Sequence, residues 1–454
     1  MIVEPYRDVC RGNSICIVER FKALLESGYQ PDPLEVREVS SLLGEPTKKV
    51  DVFNSKYLDV FTRLLQKNCI YQGDVALCIY SWNPRARIRY FPIALDATGT
   101  ILLFEKEMPQ VVAYPTHRAH DIALGETLVH KPEEVKVAEV TARVDGFQIT
   151  FYYNPLIKRW VPATRYVLHN MRYVGSRLIT GGLEEVINPY AKIADLVAEK
   201  ESIYDKLRGY EGWTFTFVLE APEPAILRPN VELYRYEEFK LYLLNARRYD
   251  GLLLTVRESS EIVKAPHIPI EEVSIGTSEE LERYISKWSK DLYVRSRFIR
   301  YANQDPFRPY TVEVGSKLYE DAVAVKFSSS PKSLLILASY GFANEAVNLL
   351  VDYRDLREVG RHLCSLYFEL KEYLAKALEV GILGGLLERL RLPGELLGEV
   401  EKARRTGDVD RLARKVAASL AADSIYQTRD RLLEFLTALK NSLRLTTHLI
   451  NAEG

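Results

Sequence analysis

The feature that most constrains this chain is a change in the period of its apolar residues near Ser333. From there onward every segment repeats at helical spacing: Ala343 to Leu350, Leu356 to Val380, Glu395 to Ala403, Val409 to Ala422 and Tyr426 to Ile450,. Pro393-Gly394 interrupts the run,. Upstream the period is mixed. Strands are expected at Val75 to Tyr80, Ile88 to Leu95, Ile101 to Phe104, Val111 to Tyr114, Val135 to Tyr153, Arg159 to Tyr166, Trp213 to Leu219, Leu241 to Asn245, Leu252 to Val256 and Ala322 to Phe327,. Helical patterns fall at Leu183 to Leu207, Glu279 to Leu292 and, before the strands begin, across residues 14 to 69,. A chain of 454 residues is too long for one ordinary core,. The expectation is an α+β protein in three parts: an N-terminal helical extension over 1-70, a mixed-sheet domain over 71-332 and an all-helical C-terminal domain over 333-454.

Composition narrows the partners. No apolar run reaches the length that spans a membrane, and Met1-Ile2-Val3-Glu4-Pro5 lacks the basic and apolar regions of a signal peptide,. A cytoplasmic protein with no membrane partner is expected. The net charge of −1 means that a polyanion needs a local patch,. Cys10, Cys16, Cys69, Cys78 and Cys364 are scattered, odd in number and include no C-x-x-C pair, which points to reduced thiols,. His117 and His120 have ligand-like spacing, but no Cys or carboxylate pattern stands near them, so no metal site is assigned,. Abundant Glu, Lys and Arg with only three Met give a thermophile-like composition,.

Within the mixed region, Val140 to Tyr152 reads as two strands with Asp145-Gly146 at the bend of a hairpin,. Arg143-Val-Asp-Gly146 stands inside it. Ahead of it lie Ile79-Tyr-Ser-Trp-Asn83, Pro92-Ile-Ala-Leu-Asp-Ala-Thr-Gly99 and Tyr114-Pro115 to Glu126. Behind it lie Gly212-Trp-Thr-Phe-Thr-Phe217 with Ala221-Pro222, Lys240 to Arg247, and Val323-Ala-Val-Lys326. In this order the segments resemble the ATP-dependent RNA ligase family typified by the T-even phage enzyme, within the covalent nucleotidyltransferase superfamily. The resemblance covers roughly Val75 to Phe327. It implies a nucleotidyltransferase domain like the adenylylation domain of ligases, RNA as partner, and ATP and Mg2+ as cofactors.

The residues depart from that family where its chemistry resides. Its nucleophilic lysine position holds Arg143. A guanidinium keeps its proton and has no free lone pair, so Arg143 should not form lysyl-AMP, although it can still grip a phosphate. Thr98 stands at a family Arg, Val218 at the ribose-binding Glu, Thr311-Val312 at a Glu-Gly pair and Ala324 at the first Lys of the closing Lys-x-Lys. Glu220 and Glu313 lie two residues from the lost carboxylates, on the same strand faces about 7 Å away,. The resemblance therefore implies nucleotide binding by Arg143, Asp145, Gly146, Glu220, Glu313 and Lys326, and no catalytic residue.

For RNA, Arg118 takes the place of a basic residue near the family's triphosphate. Lys158, Arg159 and Arg165 mix with Trp160 and Tyr166 in a pattern that can hold phosphate and stack a base, although such residues more often form a snorkelling sheet surface,. Lys402 to Lys415 reads as a solvated helix face. The expected function is that of an RNA ligase-like protein that binds RNA ends or a nucleotide without forming the covalent adduct. The alternative is an active ligase joining 5'-phosphate and 3'-hydroxyl ends, starting if need be from pre-adenylylated RNA. A protein partner on the N-terminal or C-terminal helices is left open.

Overall fold

Asp145-Gly146 is not the bend of a hairpin. In the computed structural model the strand before it and the strand after it belong to different sheets. The structure describes residues 9-44, 46-49, 53-83, 91-121, 136-174, 177-180, 188-221, 235-302, 305-350 and 354-453. The chain is α+β and divides into two units, Met1–Trp288 with Val294–Gly315, and Ser289–Tyr293 with Ser316–Gly454.

The first unit opens with helices α1 (Ser14–Glu26), α2 (Pro33–Leu42) and α3 (Ser55–Thr62). An antiparallel sheet follows: β1 (Leu65–Gln72), β2 (Val75–Trp82), the short helix α4 (Pro92–Asp96), β3 (Thr98–Glu105) and β4 (Met108–Ala113), in the order β1-β2-β3-β4. Residues 65-69, expected to be helical, form β1, because Gly73-Asp74 turns the chain back and Leu65 to Gln72 pairs with β2 along its whole length. The expected strand over Ile88 to Leu95 is helix from Pro92, and its first part lies outside the described residues. Cys78, Tyr80, Trp82, Leu102 and Val111 turn one face of this sheet to α1 and its neighbours in a single apolar core. Leu77, Ile79, Ile101 and Leu103 pack on the other face against the next sheet. With both faces covered, β2 reads as an unbroken apolar run rather than an alternating one.

The second sheet has the order β12-β11-β7-β8. Its strands are β7 (Phe147–Asn154), β8 (Arg159–Thr164), β11 (Thr214–Glu220) and β12 (Lys240–Arg247). The third has the order β5-β14-β13-β6, from β5 (His120–Asp121), β6 (Val137–Ala142), β13 (Ser296–Tyr301) and β14 (Thr311–Gly315). A two-stranded ribbon, β9 (Met171–Val174) with β10 (Arg177–Thr180), stands apart. Phe151, Phe215 and Phe217 face α5 (Pro189–Lys200) and α6 (Ile203–Leu207). The expected helix Leu183 to Leu207 is thus two helices, and its first residues lie outside the described set. Leu252 to Val256 forms only a one-residue bridge at Leu253, and α7 (Val256–Val263) starts within it, its first turn fixed by a capping box of Thr255 and Glu258,. Helix α8 (Ser278–Trp288) covers the third sheet through Leu281 and Trp288.

The second unit is helical from Lys317 onward. Ala322 to Phe327, expected as a strand, lies inside α9 (Lys317–Ser328), whose first turn is capped by the Ser316 hydroxyl on the Tyr319 N–H,. Seven further helices follow, from α10 (Pro331–Ser339) through the long α12 (Arg354–Val380) to α16 (Ile425–Glu453). The division between units at Gly315 and Ser316 precedes the expected 332/333 boundary.

The thiol expectation is also corrected. Cys10 and Cys16 are bonded across the first turn of α1, and Cys69 and Cys78 face each other on paired strands β1 and β2. Only Cys364 is free, and it is buried. Spacing alone gave no sign of the first pair, whereas the second follows from a hairpin turning at Gly73-Asp74. Among the described residues no helix is long and apolar enough to cross a membrane.

Candidate functional site

Gly146 determines how the chain enters the site. A Cβ there would overlap the Leu219 carbonyl oxygen and come within 2.9 Å of Val218 Cγ1. Only glycine lets β7 begin this close to β11. The crossing from β6 to β7 passes over a cleft of about 270 Å³ between the second and third sheets. Thr98, Gly146, Gln148, Val218 and Asn245 line one side; Glu139, Thr141, Phe298, Arg300 and Thr311 line the other. Gly99, with φ +106, brings β3 against the Arg165 backbone and sets the neighbouring wall. Gln148 Nε2 donates to the Thr98 carbonyl at 2.8 Å, and the Thr98 hydroxyl donates to the Thr116 carbonyl at 2.7 Å.

Arg118, Arg143, Arg165 and Arg300 all line this cleft. Their partners differ. Arg143 Nη1 donates to Glu313 Oε1 at 2.7 Å, and its Nε lies 3.6 Å from Asp145 Oδ1. Arg295 Nη1 approaches the same Asp145 oxygen at 3.3 Å, and the Ser296 hydroxyl donates to the same Glu313 oxygen at 2.6 Å. Arg300 donates to the Leu253 carbonyl. Arg118 and Arg165 are different. Among the described residues neither has a carboxylate partner, and Arg165 Nε is buried without a hydrogen bond. Burial, with the charge of Arg118 adding to it, holds the Arg165 guanidinium below its ordinary range. Glu139, the one carboxylate lining the cleft among the described residues, accepts the N–H groups of Val256 and Arg257 at the start of α7. Two guanidiniums in one cleft with no carboxylate partner among the described residues can accept an anion,.

The wall carrying Arg118 is fixed from beneath. Arg247 is fully buried, and its guanidinium donates to the carbonyls of Tyr114, Pro115, Gly251 and Phe307. Arg308 pairs with buried Asp96 at 3.0 Å. Burial opposes the Arg308 charge, but Asp96, Tyr114 and Asp305 more than offset it and raise its pKa. His117 Nε2 donates to the Pro309 carbonyl at 2.7 Å, which leaves Nδ1 an unpartnered acceptor. Burial, with Arg247, Arg308 and Arg300 adding, pulls that ring down to about 3. His120 lies against Tyr310.

Arg143, Asp145, Gly146, Glu220 and Glu313 therefore gather at one end of β7. Glu220 is pushed up by burial; the charge of Asp145 adds to this, while Lys240 and Tyr242 oppose it. Arg118 and Arg165 join the cleft. Lys158 and Arg159 do not: they are exposed at the far end of β7, where Asn154 pairs with Arg159. Lys326 sits in the last turn of α9 in the second unit. Thr98, Val218 and Thr311, which the sequence resemblance set against a cation and two carboxylates, do line the cleft. Arg295 and Arg300 were not singled out from sequence, because no expected strand covered Ser296–Tyr301. Asp145 and Glu313 each face guanidiniums, and among the described residues no group of three His, Cys, Asp or Glu is placed to hold a metal ion.

No family profile and no curated protein matches the chain. Among solved structures, it is similar to an archaeal ATP-dependent RNA ligase with 13% identity and a TM-score of 0.38, covering 72% of this chain and 80% of the other. A Naegleria gruberi RNA ligase mutant solved with AMP and Mn aligns with 13% identity and a TM-score of 0.27, over 41% of this chain and 52% of that one. Another mutant of that ligase, with ATP and Mn, aligns with 15% identity and a TM-score of 0.28 over 41% and 52%.

Proposed function

We propose that this protein has an RNA ligase-like nucleotidyltransferase fold and binds the phosphate of an RNA end or a nucleotide in the cleft, without forming a covalent adduct. The observation that carries the reading is the pair Arg118 and Arg165, both lining the cleft and neither with a carboxylate partner among the described residues. Like charges held half-buried side by side repel each other, and a phosphate relieves both at once,. Arg143, Asp145, Gly146, Glu220 and Glu313 form the wall beside the bound group. Arg143 cannot act as a nucleophile, and Val218 and Thr311 offer no carboxylate to the ligand,. Lys158 and Arg159, exposed outside the cleft, suit the continuing RNA strand. We leave Lys326 out of the proposal, since the strand that was to carry it is a helix.

The test is binding and labelling on one sample. A 5'-phosphorylated oligoribonucleotide should bind more tightly than its 5'-hydroxyl counterpart, and incubation with labelled ATP and divalent metal should leave no protein-AMP. A stable adduct, or sealing of pre-adenylylated RNA, would move the assignment to an active ligase. Equal binding of both oligonucleotides would remove the phosphate site.

A further inference from the structure

A second concavity lies where the turn from Arg248 to Gly251 meets α7, an open notch of about 360 Å³. It shares Leu254 alone with the cleft. Trp213 and Tyr249 supply its aromatic surface, and Glu258 and Glu261 its charge. The Trp213 ring is held from behind, stacked on Phe215 with centroids 6.1 Å apart and meeting the Tyr210 ring edge-on at 5.1 Å. Tyr249 is 60% exposed in the turn. A single exposed aromatic is ordinary on a protein surface. Two of them beside two carboxylates are a more particular arrangement.

The carboxylates stand three residues apart on α7, hence on one side of it, and both residues are exposed,. Glu261 has no hydrogen bond or ion pair among the described residues. Glu258 commits Oε2 to the N–H and hydroxyl of Thr255, which leaves Oε1 to face outward partners. The cation lining the notch, Arg248, is paired with Asp250 at 2.9 Å within the turn. The notch therefore presents negative charge next to flat apolar surface.

We propose that this notch takes the arginine side chain of a basic segment on a protein partner. A guanidinium lays its face on an aromatic ring and directs its edge N–H groups to carboxylates, and Trp213 or Tyr249 with Glu258 and Glu261 offers both at once. The apolar stem of the same side chain suits Leu254 and Ile262, which also line the notch,. A nucleic acid is the poorer occupant. A base can stack on Trp213, but the phosphates beside it would face two carboxylates, with Arg248 already paired,. The assignment stands apart from the phosphate site and does not depend on it.

Fluorescence anisotropy tests it with a short labelled peptide of alternating Arg and Gly, the same peptide with Glu for Arg, and an oligouridylate of matching length. The unaltered protein should bind the Arg peptide and not the Glu peptide. Tyr249→Ala should weaken the Arg peptide about fivefold, and Tyr249→Phe, which keeps the ring, should restore it. Glu261→Gln should weaken it about threefold and flatten its salt dependence. Glu282→Gln, at an exposed carboxylate on α8, controls for net charge and should change nothing. Melting curves show whether each variant is folded. Failure of the unaltered protein to bind the Arg peptide, or equal binding by the unaltered protein, Tyr249→Ala and Glu261→Gln, overturns the proposal. So does an equal loss in Glu282→Gln, which would mark attraction to the surface at large. Tyr249→Ala weakening the oligouridylate instead of the peptide would overturn it in favour of a nucleic acid.

Discussion

Arg143 donates to Glu313 across 2.7 Å, joining the turn after β6 to β14. The Arg143 guanidinium is thus already paired with a carboxylate. The first prediction concerns its reversal. Arg143→Lys supplies an amine, but Val218 and Thr311 still line the cleft in place of carboxylates. No protein-AMP is expected from the variant after incubation with labelled ATP and Mg2+ or Mn2+. A labelled band would show that the remaining cleft is competent.

Arg118→Ala and Arg165→Ala should each weaken binding of a 5'-phosphorylated oligoribonucleotide by about tenfold or more, the worth of a charge-assisted hydrogen bond. Each should also flatten the salt dependence of binding. Lys158→Ala should cost far less for a mononucleotide than for a longer oligonucleotide. Titrations at several salt concentrations check this.

Gly146→Ala should fold poorly, since its Cβ would overlap a backbone carbonyl that cannot swing away. The cost is expected above about 3 kcal/mol, at the severe end of single substitutions. Gly384→Ala is the contrast: the helical site is open, and about 0.5 to 1 kcal/mol of stabilisation is expected,. Denaturant melts of both variants decide the matter.

Stability should fall in mild acid through His117. Its folded pKa of about 3 lies below the ordinary value near 6.5, so the unfolded chain takes up the proton first,. The contribution is complete above pH 6.5 and shrinks as pH falls toward 3, by at most about 1.4 kcal/mol per pH unit. Denaturant melts between pH 7 and 4.5 should show a steeper loss for the unaltered protein than for His117→Gln.

Reduction should affect the two disulfides unequally at the site. The loop from Cys10 to Cys16 carries the Gly12 carbonyl that accepts from Arg308, and Ser14, which donates to Asp96. Removing this pair as a double Ser variant should lower phosphate binding as well as stability. Removing Cys69 and Cys78, in the β1 to β2 hairpin, should cost about 2 to 3 kcal/mol of stability by loop entropy alone and leave binding intact,.

Local chemistry was legible where one residue type settles it. Arg143 was readable as a non-nucleophile from the sequence, because no fold gives a guanidinium a free lone pair. The C-terminal helices were legible because each carries a sustained apolar stripe. Pairing was not legible. Val140 to Tyr152 alternates as a hairpin should, yet its halves join different sheets, since alternation records which side of a strand is buried and not which strand lies beside it,. Ala322 to Phe327 carries β-branched residues, yet caps and packing on its neighbours make it helix,. The sequence by itself determined an α+β chain, a helical C-terminal part and, at Arg143, a side chain that cannot act as an amine nucleophile,. Only the tertiary structure decided that Arg118 and Arg165 line one cleft with no carboxylate partner among the described residues, that Arg143 is tied to Glu313, and that Asn245 lines the same cleft. The two arginine relationships join residues 47 and 170 positions apart, and no local pattern encodes that distance.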